Sequence, residues 1–167
     1  MAAAKDFNAL LLTFVQDIYY AERQILKALP KMAKAAANED LKEAFTLHRE
    51  ETQGQVERLQ KVFEALGKRA RGVTCEAING LIEEGDEVIE EFPEGSVRDA
   101  GLAACAQAIE HYEIARYGAL IAWAKTAGQK DIVALLEETL AEEKRTDALL
   151  NQLSSKTLNA QAFEQAA

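Results

Sequence analysis

Apolar residues recur at intervals of three and four along most of the chain, which is the spacing of one face of an α-helix. The periodicity predicts five helices, at about 6–36, 39–66, 75–92, 97–127 and 131–153. Asn38 is the predicted N-cap of the second helix, and Gly67 marks its end. Ser96, with Asp99 three residues later, is a capping signature for the fourth. The remaining segment, 154–167, predicts an irregular tail.

The sequence also repeats itself at a constant offset of 91 residues. Residues 29–41 align without a gap to residues 120–132, and five of the aligned positions are identical. The four long helices are therefore predicted to form two copies of one hairpin, with the short helix in the crossover between them. This arrangement predicts an all-α fold, a four-helix bundle of the ferritin-like kind. A chain of 167 residues also predicts one domain, over 1–167.

The apolar stripe of each long helix becomes polar near its middle. Four of these polar positions, one on each long helix, lie fifteen residues from the turn of their hairpin: Glu22, Thr52, Glu113 and Glu143. In antiparallel helices, equal distances from the turn mean equal height, here about 22 Å at 1.5 Å per residue. Glu110 lies one turn before Glu113, and His48 and Gln55 lie on the same stripe as Thr52. Polar groups from all four helices are thus predicted to meet at one level of the bundle.

Buried carboxylates cost several kcal/mol each unless they are paired or coordinated. Three basic side chains come near this level, Arg49, Arg116 and Lys144, and they are too few to neutralise it. We therefore predict a pair of divalent metal ions, and a carboxylate-rich set with at most one imidazole suits iron or manganese better than zinc or copper. The candidate ligands are Glu22, His48, Glu51, Glu110, Glu113, Glu142 and Glu143. The sequence leaves open whether Glu142 or Glu143 is the ligand, and whether His48 is a ligand or a core histidine.

Charge and cysteine content restrict the function further. The formal net charge of −9 argues against binding to nucleic acids or anionic membranes. The two cysteines form no C-x-x-C pair, which argues against a zinc knuckle or a redox pair. The apolar run at residues 9–15 is too short to span a membrane and lacks the flanks of a signal peptide, so a cytoplasmic protein is predicted.

Several segments, above all EHYEIARYG and LAEEKRTD, resemble the YciE/YciF family of bacterial ferritin-like stress proteins. The resemblance covers about 7–153 and implies a ferritin-like fold, a role in stress responses and a homodimer. Ferritin-like di-iron sites carry a Glu on the first and third long helices and Glu-x-x-His on the second and fourth. Glu22 and Glu113 match this pattern, with Glu110 as a rubrerythrin-like addition.

The second part of the ferritin-like pattern is not matched. Glu51 is followed three residues later by Gly54, and Glu143 by Thr146, so neither standard histidine is present. His48 or His111 could substitute. Two functions follow as hypotheses. One is a di-iron or di-manganese protein with oxidative or peroxide-related chemistry, and the other is a metal-free stress protein that acts through dimerisation and protein contacts.

Overall fold

The structure, a computed structural model, describes residues 6–166. The predicted domain limits, Met1 and Ala167, lie outside the described residues. The helices follow one another as α1 (Phe7–Ala35), α2 (Glu39–Ala65), α3 (Glu76–Glu91), α4 (Ser96–Thr126), α5 (Lys130–Leu153), a π-helical turn (Ser154–Leu158) and α6 (Asn159–Ala166). Residues 6–166 contain no strand. The five predicted helices are confirmed to within one residue at every end.

Each hairpin packs as the repeat predicts. Helix α1 packs on α2, and α4 packs on α5, while α2–α5 and α1–α4 contacts close the bundle. Helix α3 lies in the crossover against α4 and α1. Three apolar pairs related by the 91-residue offset are buried in both copies: Leu11 with Leu102, Ile18 with Ile109, and Leu59 with Leu150. The all-α, ferritin-like architecture is confirmed.

The turns of the two hairpins end the long helices as the sequence indicates. Asn38 caps α2, because its side chain accepts a hydrogen bond from the Leu41 backbone N–H at 3.0 Å. Gly128, with φ +70°, lies in the left-handed region in the second turn, where a side chain would be strained. The two turns lie at opposite ends of the bundle, because the beginning of α4 contacts the first turn through Asp99 and its other end leads into the second turn. The predicted polar positions are level because each lies near the middle of its helix.

The predicted capping signature at the start of α4 is wrong. The N-cap is Gly95, and the Asp99 side chain points instead to the first hairpin turn. There its two carboxylate oxygens accept hydrogen bonds from the backbone N–H groups of Ala37 and Asn38, at 2.9 and 2.8 Å. Asp99 is buried, and it ties the beginning of α4 to the turn between α1 and α2. A short sequence signature cannot detect such a long-range partner.

This contact gives a stability prediction. Replacing Asp99 with alanine leaves two backbone donors without their charged acceptor, and such bonds contribute about 1.5 to 3 kcal/mol each. We expect Asp99→Ala to lower the free energy of unfolding by about 3 kcal/mol in urea denaturation. Asp131→Ala, at an exposed site in the first turn of α5, is the matched control. Equal stability of the two variants would contradict the assigned role.

The predicted irregular tail is also wrong for residues 154–166. The chain continues through the π-helical turn into α6, which packs against α4. Leu158 becomes fully buried, and Gln165 Oε1 accepts a hydrogen bond from the Ser96 backbone N–H at 2.8 Å. The tail therefore satisfies a free donor at the start of α4, which is why it is ordered despite its weak apolar pattern.

Candidate metal centre

Four buried side chains from three helices converge in the middle of the bundle. His48 comes from α2, Glu110 and Glu113 from α4, and Glu143 from α5. Each offers a ligand atom, and these atoms all lie within 4.8 Å of one another. We call these four residues the carboxylate cluster. Its composition, three carboxylates and one imidazole, suits a divalent transition metal ion.

Glu22 of α1 lies beside the carboxylate cluster and adds a fourth carboxyl group. It is fully buried, and its charge interacts unfavourably with that of Glu143. The fully buried Tyr117 donates its phenolic hydrogen to Glu22 Oε1. Burial, followed by the charge of Glu22, raises the pKa of Tyr117 well above its ordinary value, so the phenol stays protonated as a donor. Tyr117 lies four residues after Glu113, on the same helical face. The sequence contains four tyrosines, however, and this spacing alone does not identify Tyr117 as the partner of Glu22.

The acids of the centre lack the partners that buried carboxylates need. In the described part of the chain, six of their buried oxygens have no hydrogen-bond partner, one each on Glu22 and Glu110 and two each on Glu113 and Glu143. Burial is the largest cause that raises the pKa of Glu22 and of Glu110, in each case to about 8. Burial and neighbouring carboxylates raise the pKa values of Glu113 and Glu143 well above 4.5. Without a cation, burial therefore favours the protonated form of all four groups.

His48 is oriented so that one ring nitrogen faces the carboxylates. Its Nδ1 lies 3.5 Å from the Thr146 hydroxyl, and its Nε2 lies 3.0 Å from Glu110 Oε1. The Nε2 contact does not have hydrogen-bond geometry, so this buried atom is left without a hydrogen-bond partner. A histidine held at one nitrogen and free at the other is the usual arrangement of a metal ligand. Thr146 stands where the ferritin-like pattern has a histidine, and His48 approaches that position from the neighbouring helix.

Glu142 lies outside the carboxylate cluster. The guanidinium group of Arg58 binds both of its carboxylate oxygens, with Nη1 at 2.8 Å from Oε2, and Gln55 Nε2 donates to Oε2 at 3.1 Å. Arg58 also contacts Glu138 at 3.0 Å. The structure therefore brings Glu143, and not Glu142, into the centre. The sequence alone does not identify Arg58 as part of this arrangement, because only the packing of α2 on α5 brings it to Glu142.

Glu51 also lies outside the cluster and is half-buried. It accepts a hydrogen bond from the Thr146 hydroxyl at 3.3 Å and pairs with Arg145 at 3.4 Å. Its charge is thus matched at the edge of the bundle, one turn from His48. Arg145 is a second basic residue whose place at this level the sequence alone does not indicate.

His111 does not substitute for a missing histidine. It is 70% exposed, and its Nε2 lies 3.1 Å from Asp147 on α5. Arg116, one of the basic residues named from the sequence, contacts Asp17 at 3.6 Å. The glutamates outside the cluster, Glu51 and Glu142, therefore pair with arginines other than the three basic residues predicted near this level.

Comparison with known proteins agrees with this fold. Residues 6–163 match the model of the family described as Domain of unknown function (DUF892). The chain is 44% identical to Protein YciF of Escherichia coli over 163 residues, which is 97% of this chain and 98% of that protein. Within residues 6–166, no helix combines the length and apolar character that crossing a membrane requires.

Solved structures give the same result. The crystal structure of the E. coli stress protein YciF matches with a TM-score of 0.89 and 44% identity, over 93% of this chain and 99% of that one. YcfI of Rhodopseudomonas palustris matches with a TM-score of 0.87 and 52% identity, over 90% of this chain and 97% of that one. The protein XCC3681 of Xanthomonas campestris shares the fold, with a TM-score of 0.74 at 23% identity over 97% of this chain and 100% of that one. The resemblance predicted from the sequence is confirmed, and the chain belongs to the YciF-related family described as a domain of unknown function (DUF892).

Proposed function

We propose that this protein binds two divalent metal ions, iron or manganese, in the middle of its helical bundle and acts in oxidative or peroxide-related stress chemistry. The observation that carries the proposal is the set of six buried carboxylate oxygens without hydrogen-bond partners. A cation is the partner that satisfies such oxygens directly.

The charges support two ions rather than one. Ionised Glu22, Glu110, Glu113 and Glu143 carry four negative charges, and a neutral His48 carries none. Two divalent cations balance them without any retained proton. One divalent cation would leave two carboxyl groups to be neutralised by protons.

The chain's own residues would bind and enclose the ions. The carboxylate cluster supplies four ligand residues, and Glu22 supplies a fifth, with its orientation held by Tyr117. Their burial keeps bulk water away from the centre. When bound, iron or manganese would supply redox chemistry toward oxygen or peroxide.

Metal uptake is the experiment that tests this proposal. The untagged protein, purified without chelator, is loaded anaerobically with Fe(II) or Mn(II), dialysed and analysed by inductively coupled plasma mass spectrometry. We expect about two ions per chain, because two divalent charges balance four carboxylates. We expect Glu113→Ala and Glu143→Ala to lose most of this metal while they keep their helical circular dichroism.

The matched control is Glu137→Ala, which removes an exposed glutamate from the same helix as Glu143. It should load like the unchanged protein. If the Glu113→Ala/Glu143→Ala double variant retained its full metal content, the proposed site would be wrong.

A metal-free protein that acts through contacts, with a second copy of the chain as its partner, is the second candidate function. The exposed apolar side chains of Leu47, Phe92 and Phe163 favour it, with exposed fractions of 49%, 41% and 77%. The same measurement separates the two functions. Absence of metal after every loading would mean that protons and hydrogen bonds hold the central carboxyl groups, and would favour this second function.

A further inference from the structure

Gln55 is a buried polar residue that the proposed metal site does not yet use. It lies on α2, on the face that also carries His48 and Thr52, and its exposed fraction is 0%. Its Nε2 donates to Glu142 Oε2 at 3.1 Å, while its Oε1 has no hydrogen-bond partner. A buried carbonyl oxygen without a partner is costly and calls for a cation or a hydrogen-bond donor.

The orientation of this amide follows from chemistry. Arg58 binds both oxygens of Glu142, so that carboxylate is ionised and can only accept hydrogen bonds. Only the NH₂ group of Gln55 can therefore face Glu142. The carbonyl oxygen must point away from this pair, and it does so within the buried interior of the bundle.

Gln55 lies next to the carboxylate cluster along the bundle. Helices α2 and α5 run antiparallel, with His48 opposite Thr146 and Gln55 opposite Glu142. Glu143 follows Glu142 directly and lies between these two contacts. By its position along the helices, Gln55 thus lies on the side of Glu143 away from His48, and its carbonyl oxygen is buried there without a partner.

We propose that Gln55 supplies its carbonyl oxygen as a further ligand to the metal site, and that Glu142 with Arg58 positions it. A neutral amide oxygen is a hard ligand of the kind that Mn(II) accepts alongside carboxylates, and it leaves the charge balance unchanged. The role of Glu142 is then indirect: it sets the amide orientation and is not itself a ligand. This inference rests on the proposed function.

The test is an Mn(II) titration in which free Mn(II) is followed by its electron paramagnetic resonance signal. Gln55→Leu removes the oxygen at similar volume, and we expect about a tenfold or greater loss of Mn(II) affinity. Gln53→Leu, at an exposed site on the same helix, is the matched control and should bind like the unchanged protein. Because leucine also removes an unsatisfied carbonyl, the thermal midpoint of the metal-free Gln55→Leu protein should stay equal or rise.

Glu142→Gln tests the positioning role. A carboxamide at position 142 can donate as well as accept, so it no longer dictates which end of the Gln55 amide faces it. We expect a smaller loss of affinity than for Gln55→Leu, and no additional loss when both changes are combined. If Glu142→Gln lowered the Mn(II) affinity equally in the unchanged protein and in the Gln55→Leu protein, Glu142 would not act through Gln55.

The outcomes separate this inference from the proposed function. If the unchanged protein binds Mn(II) and Gln55→Leu binds it equally well, Gln55 is not a ligand and the proposed metal site stands. If Gln55→Leu lowers only the metal-free midpoint, Gln55 has a packing role and the inference is wrong. If the unchanged protein binds no Mn(II) or Fe(II), the proposed function fails and this inference fails with it.

Discussion

The metal-free protein is expected to lose stability as the pH rises from 5 to 8. Glu22 and Glu110 each have a pKa of about 8 in the folded chain, against an ordinary value of 4.5. Below pH 4.5 these two carboxyl groups are protonated in both the folded and the unfolded chain, so their full contribution to stability is present. Above it, the unfolded chain releases protons that the folded chain retains, so the free energy of unfolding falls until the pH passes about 8.

The expected slope is large. Each such group contributes about 1.4 kcal/mol per pH unit, so the two together give about 3 kcal/mol per pH unit between pH 5 and 7. Glu113 and Glu143, whose pKa values are also raised well above 4.5, add to the loss in the same direction. Urea denaturation of chelator-treated protein at several pH values measures this slope.

A pair of double variants distinguishes the buried groups from surface repulsion. Glu113→Gln/Glu143→Gln removes two buried titrating groups and should flatten the slope. Glu64→Gln/Glu90→Gln removes two exposed carboxylates and the same amount of charge, and should leave most of the slope in place. Equal slopes for the two variants would mean that overall charge, and not the centre, governs the pH dependence.

Metal binding at pH 7 is expected to release protons, about two for each divalent ion bound. The pKa values of Glu22 and Glu110 are about 8 and those of Glu113 and Glu143 are raised well above 4.5, and all four groups must ionise to act as ligands. The apparent affinity for Mn(II) should therefore rise by about a hundredfold per ion between pH 6 and 7, as two displaced protons require. Isothermal titration calorimetry in buffers of different ionisation enthalpy counts the protons.

The effect of metal on the thermal midpoint of unfolding should also depend on pH. Because the ions replace protons whose loss destabilises the folded chain, metal should raise the midpoint of unfolding more at pH 8 than at pH 6. A free Mn(II) concentration about a thousandfold above Kd adds about 4 kcal/mol of stability. Binding heats that do not depend on the buffer would contradict the protonated state assigned to the metal-free centre.

The helices were predictable because their signals are local. Asn38 caps the beginning of α2, and glycines with positive φ follow the ends of α2 and α4, so each of these signals depends on near neighbours. The 91-residue repeat gives both hairpins the same internal register. The tail and Asp99 were mispredicted for the opposite reason. Gln165 and Asp99 act on backbone groups more than 60 residues away, and a local pattern cannot show such partners.

The candidate glutamates also differ in whether a local pattern reveals their position. Glu22, Glu113 and Glu143 interrupt apolar stripes, so the sequence alone predicted that they face the core, and all three are fully buried. Glu51 and Glu142 lie beside core positions. Their placement depends on the rotation of each helix and on which arginine lies opposite.

The sequence by itself therefore determined the class of fold, the two hairpins and the level at which polar groups enter the core, because helical periodicity and turn chemistry depend on near neighbours. Tertiary structure decided which acids remain without partners. Arg58 of α2 pairs with Glu142 of α5, and Arg145 of α5 pairs with Glu51 of α2. No basic side chain within residues 6–166 forms an ion pair with Glu22, Glu113 or Glu143. Charge neutralisation acts through space over a few ångströms, so only the packed helices could separate the paired glutamates from those left without a basic partner.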